Sequence, residues 1–214
     1  MSRVYMYVVD RDFGFAPNPF HGLCTLATCK PPIRKGARIG DWVVGMGGTR
    51  LKATGRCIFA MKVTRALTFN EYWAGREFRD KRPVRNGSRV MMVGDNIYQR
   101  ADDEAVWRQL DSHHSLADGS PNPLNVEKDT KADRVLISHN FYYFGSEAPL
   151  VPSRILKHIG FRNAIGHRVF DAESCEELIS WIASHRDAAN MVLADPFDFK
   201  KSEKRYTGKG NTVA

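Results

Sequence analysis

The sequence is as informative for what it lacks as for what it holds. No apolar run approaches the roughly 20 residues that a membrane-spanning helix needs, and the opening residues MSRVYMYVVDRD contain neither an apolar leader core nor a small-residue cleavage site. We therefore expect a cytoplasmic chain without membrane contact. Cysteine is scarce: Cys24, Cys29, Cys57 and Cys175 show no dense pairing pattern, which fits a reducing compartment. Cys24-x4-Cys29 has no second Cys/His pair at ligand spacing nearby, so no metal site is expected and the four thiols read as buried and free. The motif-bearing enzyme classes are missing too. There is no P-loop, no Gly-x-Gly-x-x-Gly after a strand, no His-Glu-x-x-His, no Gly-x-Ser-x-Gly and no zinc-deaminase pairing. Enzymes with dispersed catalytic residues remain open, and no stretch names a cofactor.

What is present is an ordinary globular composition. The chain has 214 residues, 43% of them hydrophobic, enough to bury one core. We expect a single α+β domain over residues 1–198 and a basic flexible tail over 199–214. That tail carries Lys200, Lys201, Lys204, Arg205 and Lys209 against Glu203, with no apolar pattern. A formal net charge of +8 leans toward polyanionic partners.

The opening stretch organises the rest. Val4 to Val9 is an unbroken β-branched and aromatic run and reads as a strand. A polar corner, Asp10-Arg11-Asp12, leads into a Gly- and Pro-punctuated loop holding Phe13, Phe15 and Phe20. Those rings either plug the core or form an aromatic surface for a ligand. Ordered loops at strand ends often carry function, and this loop is expected to wall the principal pocket, with Asp10, Arg11, Phe13 and Asn18 facing inward.

Further on, Asp41–Met46 and Arg56–Thr64 read as a hairpin around Gly47-Gly48. Thr68 to Glu71 is a capping box opening a short helix that ends near Gly75. Arg76, Arg79, Lys81, Arg82, Arg85 and Arg89 form a dense basic segment. Arg79, Lys81, Arg82 and Arg85 are its candidates for tracking a phosphate backbone, against the plainer reading of a solvated face. Val90–Val93 reads as a strand entering a Gly94-Asp95-Asn96 turn, where Asp95, Asn96 and Tyr98 can either read a base edge or close the turn. Residues 111–133 show no apolar periodicity and read as a long polar loop. Within it His113 and His114 are candidate acid/base groups, with Asp111 to orient the ring. On an extended chain only one of the two histidines can face a site, and His114 is preferred. A strand from Arg134, a helix over Pro152–Ile159, a second capping box at Ser174 to Glu177 before an amphipathic helix, and a last strand over Met191–Ala194 complete the reading.

Four blocks, YVVDRDFGFAPNPFHGLCTLATCKP, GDWVVGMGG, GDNIY and VLISHNFYYFG, together resemble the nucleotide modification associated domain 2 family. The short pattern of Gly-Asp, strand and glycine turn is also similar to PUA-like EVE and ASCH domains, which accept modified bases. The resemblance implies an α+β fold with several short helices, around a mixed or antiparallel sheet that can curl toward a barrel. It also implies a bacterial or phage setting near DNA modification and defence. Two functions follow as expectations. One is a module that binds nucleic acid or a nucleotide and recognises a modified base in a pocket. The other is an enzyme acting on a nucleobase, nucleotide or phosphodiester through Asp10, Asp95, His113 or His114. The resemblance supplies no protein partner.

Overall fold

The computed structural model describes residues 2–101, 106–207 and 213. The strand read at the start, β1 (Arg3–Val9), lies inside a five-stranded sheet and is buried along nearly its whole length. Its neighbours follow from the alternation of apolar runs and glycine turns. β3 (Trp42–Gly47) pairs with it in parallel and β10 (His167–Asp171) antiparallel. β4 (Cys57–Lys62) pairs antiparallel with β3, as the hairpin expectation required, and β9 (Asn140–Tyr143) closes the order β10-β1-β3-β4-β9. A three-stranded antiparallel sheet, β2 (Cys24–Leu26), β8 (Val135–Ser138) and β5 (Arg65–Leu67), stands beside it. The chain passes between the two sheets twice within a few residues, from β4 to β5 and from β8 to β9. Thr64 N–H donates to the Ile137 carbonyl at the crossing. Both sheets stay open, so the expected curl toward a barrel does not occur.

Two cores result. The larger packs β1, β3, β4 and β9 against α5 (Ser153–His158) and α6 (Glu176–Ala183). The smaller gathers Phe13, Phe15 and Phe20 with Phe69 and Tyr72 of α2 (Phe69–Ala74), Phe78, and Tyr98 of β6 (Tyr98–Gln99), which pairs with β7 (Arg108–Gln109). The loop phenylalanines therefore plug a core, and two of them also reach a cavity described below. The capping box at Thr68 and Glu71 is present in both directions.

Several expectations are corrected. Val90–Val93 is not a strand: α3 (Arg89–Met92) occupies it, capped by Ser88, whose hydroxyl accepts from Met91 N–H. The polar stretch 111–133 contains α4 (Pro123–Thr130), opened by Asn122, whose side chain accepts from Leu124 and Asn125 N–H, with Pro123 in the first turn. Ser174 caps nothing, and Met191–Ala194 contributes only an isolated bridge from Val192 to Tyr143. The segment after residue 198 packs onto the domain as far as Thr207: Phe199 and Ser202 are buried, and Arg85 holds the Ser202 carbonyl at 3.1 Å. Among the described residues no helix is long and apolar enough to cross a membrane.

Candidate active site

At the end of β2 the backbone turns through Cys29 and Lys30, at φ 56° and 40°. Left-handed backbone is uncommon for non-glycine residues and, where neighbours over-determine it, concentrates at functional sites. Here the turn is clamped from two sides. Cys29 N–H donates to Asp129 Oδ1 at 2.8 Å, and Arg34 Nε donates to the Cys29 carbonyl at 2.8 Å. Arg34 lies in α1 (Pro31–Gly36), is fully buried, and extends its guanidinium to the carbonyls of Asp129, Ala132 and Arg134. It thereby ties the cysteine turn to the end of α4.

The outcome is a chain of three side chains. Cys29 Sγ lies 3.5 Å from His114 Nε2, and His114 Nδ1 lies 2.7 Å from Asp129 Oδ2. A carboxylate only accepts, so Nδ1 carries a proton and Nε2 faces the sulfur. Tyr98 Oη donates to the same Asp129 oxygen at 2.9 Å, and Gln109 Nε2 donates to Tyr98 Oη at 2.9 Å. Burial lowers the pKa of a histidine, but the charges of Asp129 and Cys29 outweigh it and bring His114 up to about 10. Asp129 moves the other way: burial would raise it, while His114 and then Arg34 hold it below its ordinary value.

Cys29, His114 and Asp129 also make up a set of metal-ligand types whose donor atoms lie within 4.8 Å of one another. Their connectivity favours proton relay over chelation. Asp129 sits behind the imidazole on the Nδ1 side, both its oxygens are already engaged, and the sulfur faces the opposite nitrogen.

Cys29 and His114 border a cavity of about 600 Å³, with Asp129 behind them, and its wall also includes Tyr7, Asp10, Arg11, Phe13, Phe15, Lys30, His113, Lys128, Lys131, His167 and Tyr206. Lys30 places its ammonium 4.3 Å from the centre of the Tyr7 ring, and burial lowers its pKa. Phe15 packs against both histidine rings, at 5.1 and 4.7 Å between centres, and Tyr206 packs on His114 at 5.5 Å.

Of the sequence-derived candidates, Asp10, Arg11, Phe13, His113 and His114 meet in this wall. The others do not. Asn18 is buried and binds the Val93 carbonyl. Asp95 accepts from Thr25 and Tyr72 hydroxyls at 2.7 Å each, and burial raises its pKa. Asn96 donates to the Tyr72 and Phe78 carbonyls. Tyr98 stands behind the triad, supporting Asp129 without lining the cavity.

The basic segment fares worse. Lys81 is fully buried, its ammonium held by Asn18 and the Leu23 carbonyl, and burial lowers its pKa to about 8. Arg82 lies 3.9 Å over the Trp73 ring and donates to the Trp73 carbonyl, while Arg85 braces the C-terminal segment. Only Arg79 of the four stands exposed. A row of phosphate contacts needs free cations, and three of these are structural.

Two further expectations change. Both histidines face the cavity, because Ser112–Ser115 is a turn, with Ser115 N–H on the Ser112 carbonyl at 3.2 Å, and strand alternation does not apply. Asp111 orients neither ring: it pairs with Arg205. The residues that sequence reasoning missed are Cys29 and Asp129. Cys29 was one of four indistinguishable thiols, and Asp129 lay in a stretch read as loop. The Asn122-Pro123 pair was the available signal that a helix carried it.

A family model described as nucleotide modification associated domain 2 matches residues 1–203. No curated protein and no solved structure matches the chain.

Proposed function

The chain belongs to the nucleotide modification associated domain 2 family, and from that premise we propose that it is an enzyme of nucleotide modification that uses Cys29 as a covalent nucleophile. The observation that carries this reading is the relay Sγ–Nε2 3.5 Å, Nδ1–Oδ2 2.7 Å, bordering a cavity large enough for a nucleotide. A thiol becomes a nucleophile when a neighbouring base takes its proton and a third group orients that base. Here the proton between Sγ and His114 already rests on Nε2, as the raised pKa of His114 requires, and Sγ bonds to an electrophilic carbon of the ligand. Asp129 supports the imidazolium, and Nε2 returns the proton to the leaving group or to the displaced electron pair. The ligand half of the reading rests on the wall. Phe13, Phe15 and Tyr206 offer faces for a base, and Lys30, Lys128 and Lys131 offer charge to a phosphate or oxyanion. This reading keeps His114 from the enzyme alternative and keeps the base pocket from the binding-module alternative. It leaves Asp95 to the interior.

Iodoacetamide labelling of the folded chain, followed by mass spectrometry, tests it. Cys24 and Cys57 are buried, with burial pushing both up to about 12, and Cys175 is buried and pushed up to about 11. Cys29 should be labelled first, and His114→Gln should slow its labelling at least tenfold. Labelling of Cys29 that is slow and indifferent to His114 would overturn the proposal.

A further inference from the structure

The relay leaves a second histidine in the wall without a role. His113 is buried between Phe13 and Phe15, whose ring centres lie 4.5 and 5.1 Å away, so its plane is fixed. Its Nδ1 lies 2.7 Å from the Lys204 carbonyl oxygen. That oxygen can only accept, so Nδ1 is the protonated nitrogen, and in a neutral ring Nε2 is then a bare acceptor. Among the described residues nothing donates to that nitrogen.

We infer that His113 is a specificity-determining residue of the cavity, a hydrogen-bond acceptor that selects ligands presenting an N–H on the edge of a base. The inference rests on the proposed nucleotide site and names the edge that the site reads.

Three features support it. First, the tautomer is set by a strap, residues 204–207, that is itself anchored. Tyr206 N–H donates to the His113 carbonyl at 2.6 Å, Asn125 Nδ2 donates to the Tyr206 carbonyl at 2.8 Å, and Arg205 donates to the Ser112 carbonyl at 3.0 Å. The ring cannot turn over without breaking the strap's contact. Second, a second proton on His113 is opposed by burial, then by His114, Arg85 and Arg11, which bring its pKa down to about 3. Such a nitrogen is too weak a base to carry a proton at neutral pH but accepts a hydrogen bond well. Third, the adjacent ring, His114, is held in the opposite protonation state in the same wall. Two titratable groups pushed apart by their surroundings mark a division of labour. His114 moves the proton, and His113 reads the ligand.

The test uses the full chain with AMP, GMP, CMP and UMP, each against its counterpart in which every N–H of the base edge is replaced by N-methyl. Affinity is read by calorimetry and the imidazole nitrogens by NMR. A site built around a hydrogen bond rejects the analogue that lacks it far more strongly than a hydrophobic pocket rejects a methyl group. For whichever nucleotides bind, methylation should therefore weaken binding about a hundredfold in the wild type and less than threefold in His113→Phe. His113→Gln provides the same comparison should the Phe variant fail to fold. The Nε2 resonance of free His113 should be that of an unprotonated nitrogen and should move on binding. An equal methylation penalty in wild type and variants overturns the inference, as does a protonated Nε2 in the free protein. Failure of all four nucleotides to bind overturns it as well, while rapid labelling of Cys29 under the same conditions would leave the covalent chemistry standing. An inert Cys29 instead removes the proposed function itself.

Discussion

The Asp129 side chain accepts from Cys29 N–H, His114 Nδ1 and Tyr98 Oη, so one carboxylate fixes the Cys29 backbone, the His114 ring and the tyrosine behind it. Asp129→Asn removes the charge that stabilises a buried imidazolium and puts an N–H where an acceptor is needed. Breaking a buried pair in this way costs about 3–5 kcal/mol, which a urea titration would register. Iodoacetamide labelling of Cys29 should slow in parallel. The two histidines also give stability opposite pH dependences. The folded pKa of His114, about 10, lies above the value near 6.5 of an unfolded histidine. Its contribution is complete below pH 6.5 and is lost as pH rises through about 10. The folded pKa of His113, about 3, lies below it. The unfolded chain therefore takes up a proton that the folded one refuses, and stability is lost as pH falls from 6.5 toward 3. Asp12, raised to about 6 by burial, acts in the opposite sense over part of that range. The His113 effect is therefore read from the difference between wild type and His113→Phe: the variant's urea midpoint should fall less between pH 6.5 and 4.

At the scale of elements, α4 exists because Asn122 caps it, and it delivers Asp129 one residue from its end. Asn122→Ala should cost about 1 kcal/mol in stability. It should also slow Cys29 labelling, a readout that loss of a cap elsewhere would not move. The 3₁₀ segment Arg76–Lys81 makes a second case. Lys81→Met would leave the Leu23 carbonyl buried without its donor and take the ammonium from the Asn18 side-chain oxygen, which would keep only the Phe20 N–H at 3.3 Å. Hydrogen bonds to charged groups are worth about 1.5–3 kcal/mol each, so the loss should approach 3 kcal/mol or more, whereas Arg79→Gln on the surface should stay within about 0.5 kcal/mol. Chemical denaturation of the two variants separates a core cation from a phosphate-facing one. The same elements mark how far the sequence could be read. β1, the β3–β4 hairpin and the Thr68 capping box were legible because apolar runs, glycine turns and caps are local signals. Lys81 was not, because a lysine that folds inward onto three oxygens looks the same in sequence as one in water. The long stretch before β8 was misread because α4 buries polar residues, Asn125 and Asp129, where an apolar stripe was sought. For the site, the opening loop and both histidines were found, and the residues that join them were not, since the relay spans a hundred residues between Cys29 and Asp129.

Across the whole molecule, the two cores are joined by a few long-range polar ties. Tyr143 of β9 donates its hydroxyl to Asp12, and the same carboxylate accepts from Phe197 N–H at 3.2 Å and Gly14 N–H at 3.3 Å. Tyr143→Phe deletes the donor inside the larger core. Leaving a buried acceptor short of a partner costs about 1–3 kcal/mol, to be measured as a fall in urea midpoint. Because Asp12 begins the loop that carries Phe13 and Phe15 to the cavity, the loosening should also show as faster amide exchange in residues 13–16.

The strap over His113 has a temporal meaning as well. Residues 204–207 leave the ribosome after every other residue of the cavity wall, so a nascent chain can have Cys29, His114 and Asp129 in place while the second ring is still free to turn. The wall becomes complete only once residues 204–207 have emerged. Until then the ring that they orient is free to present either nitrogen.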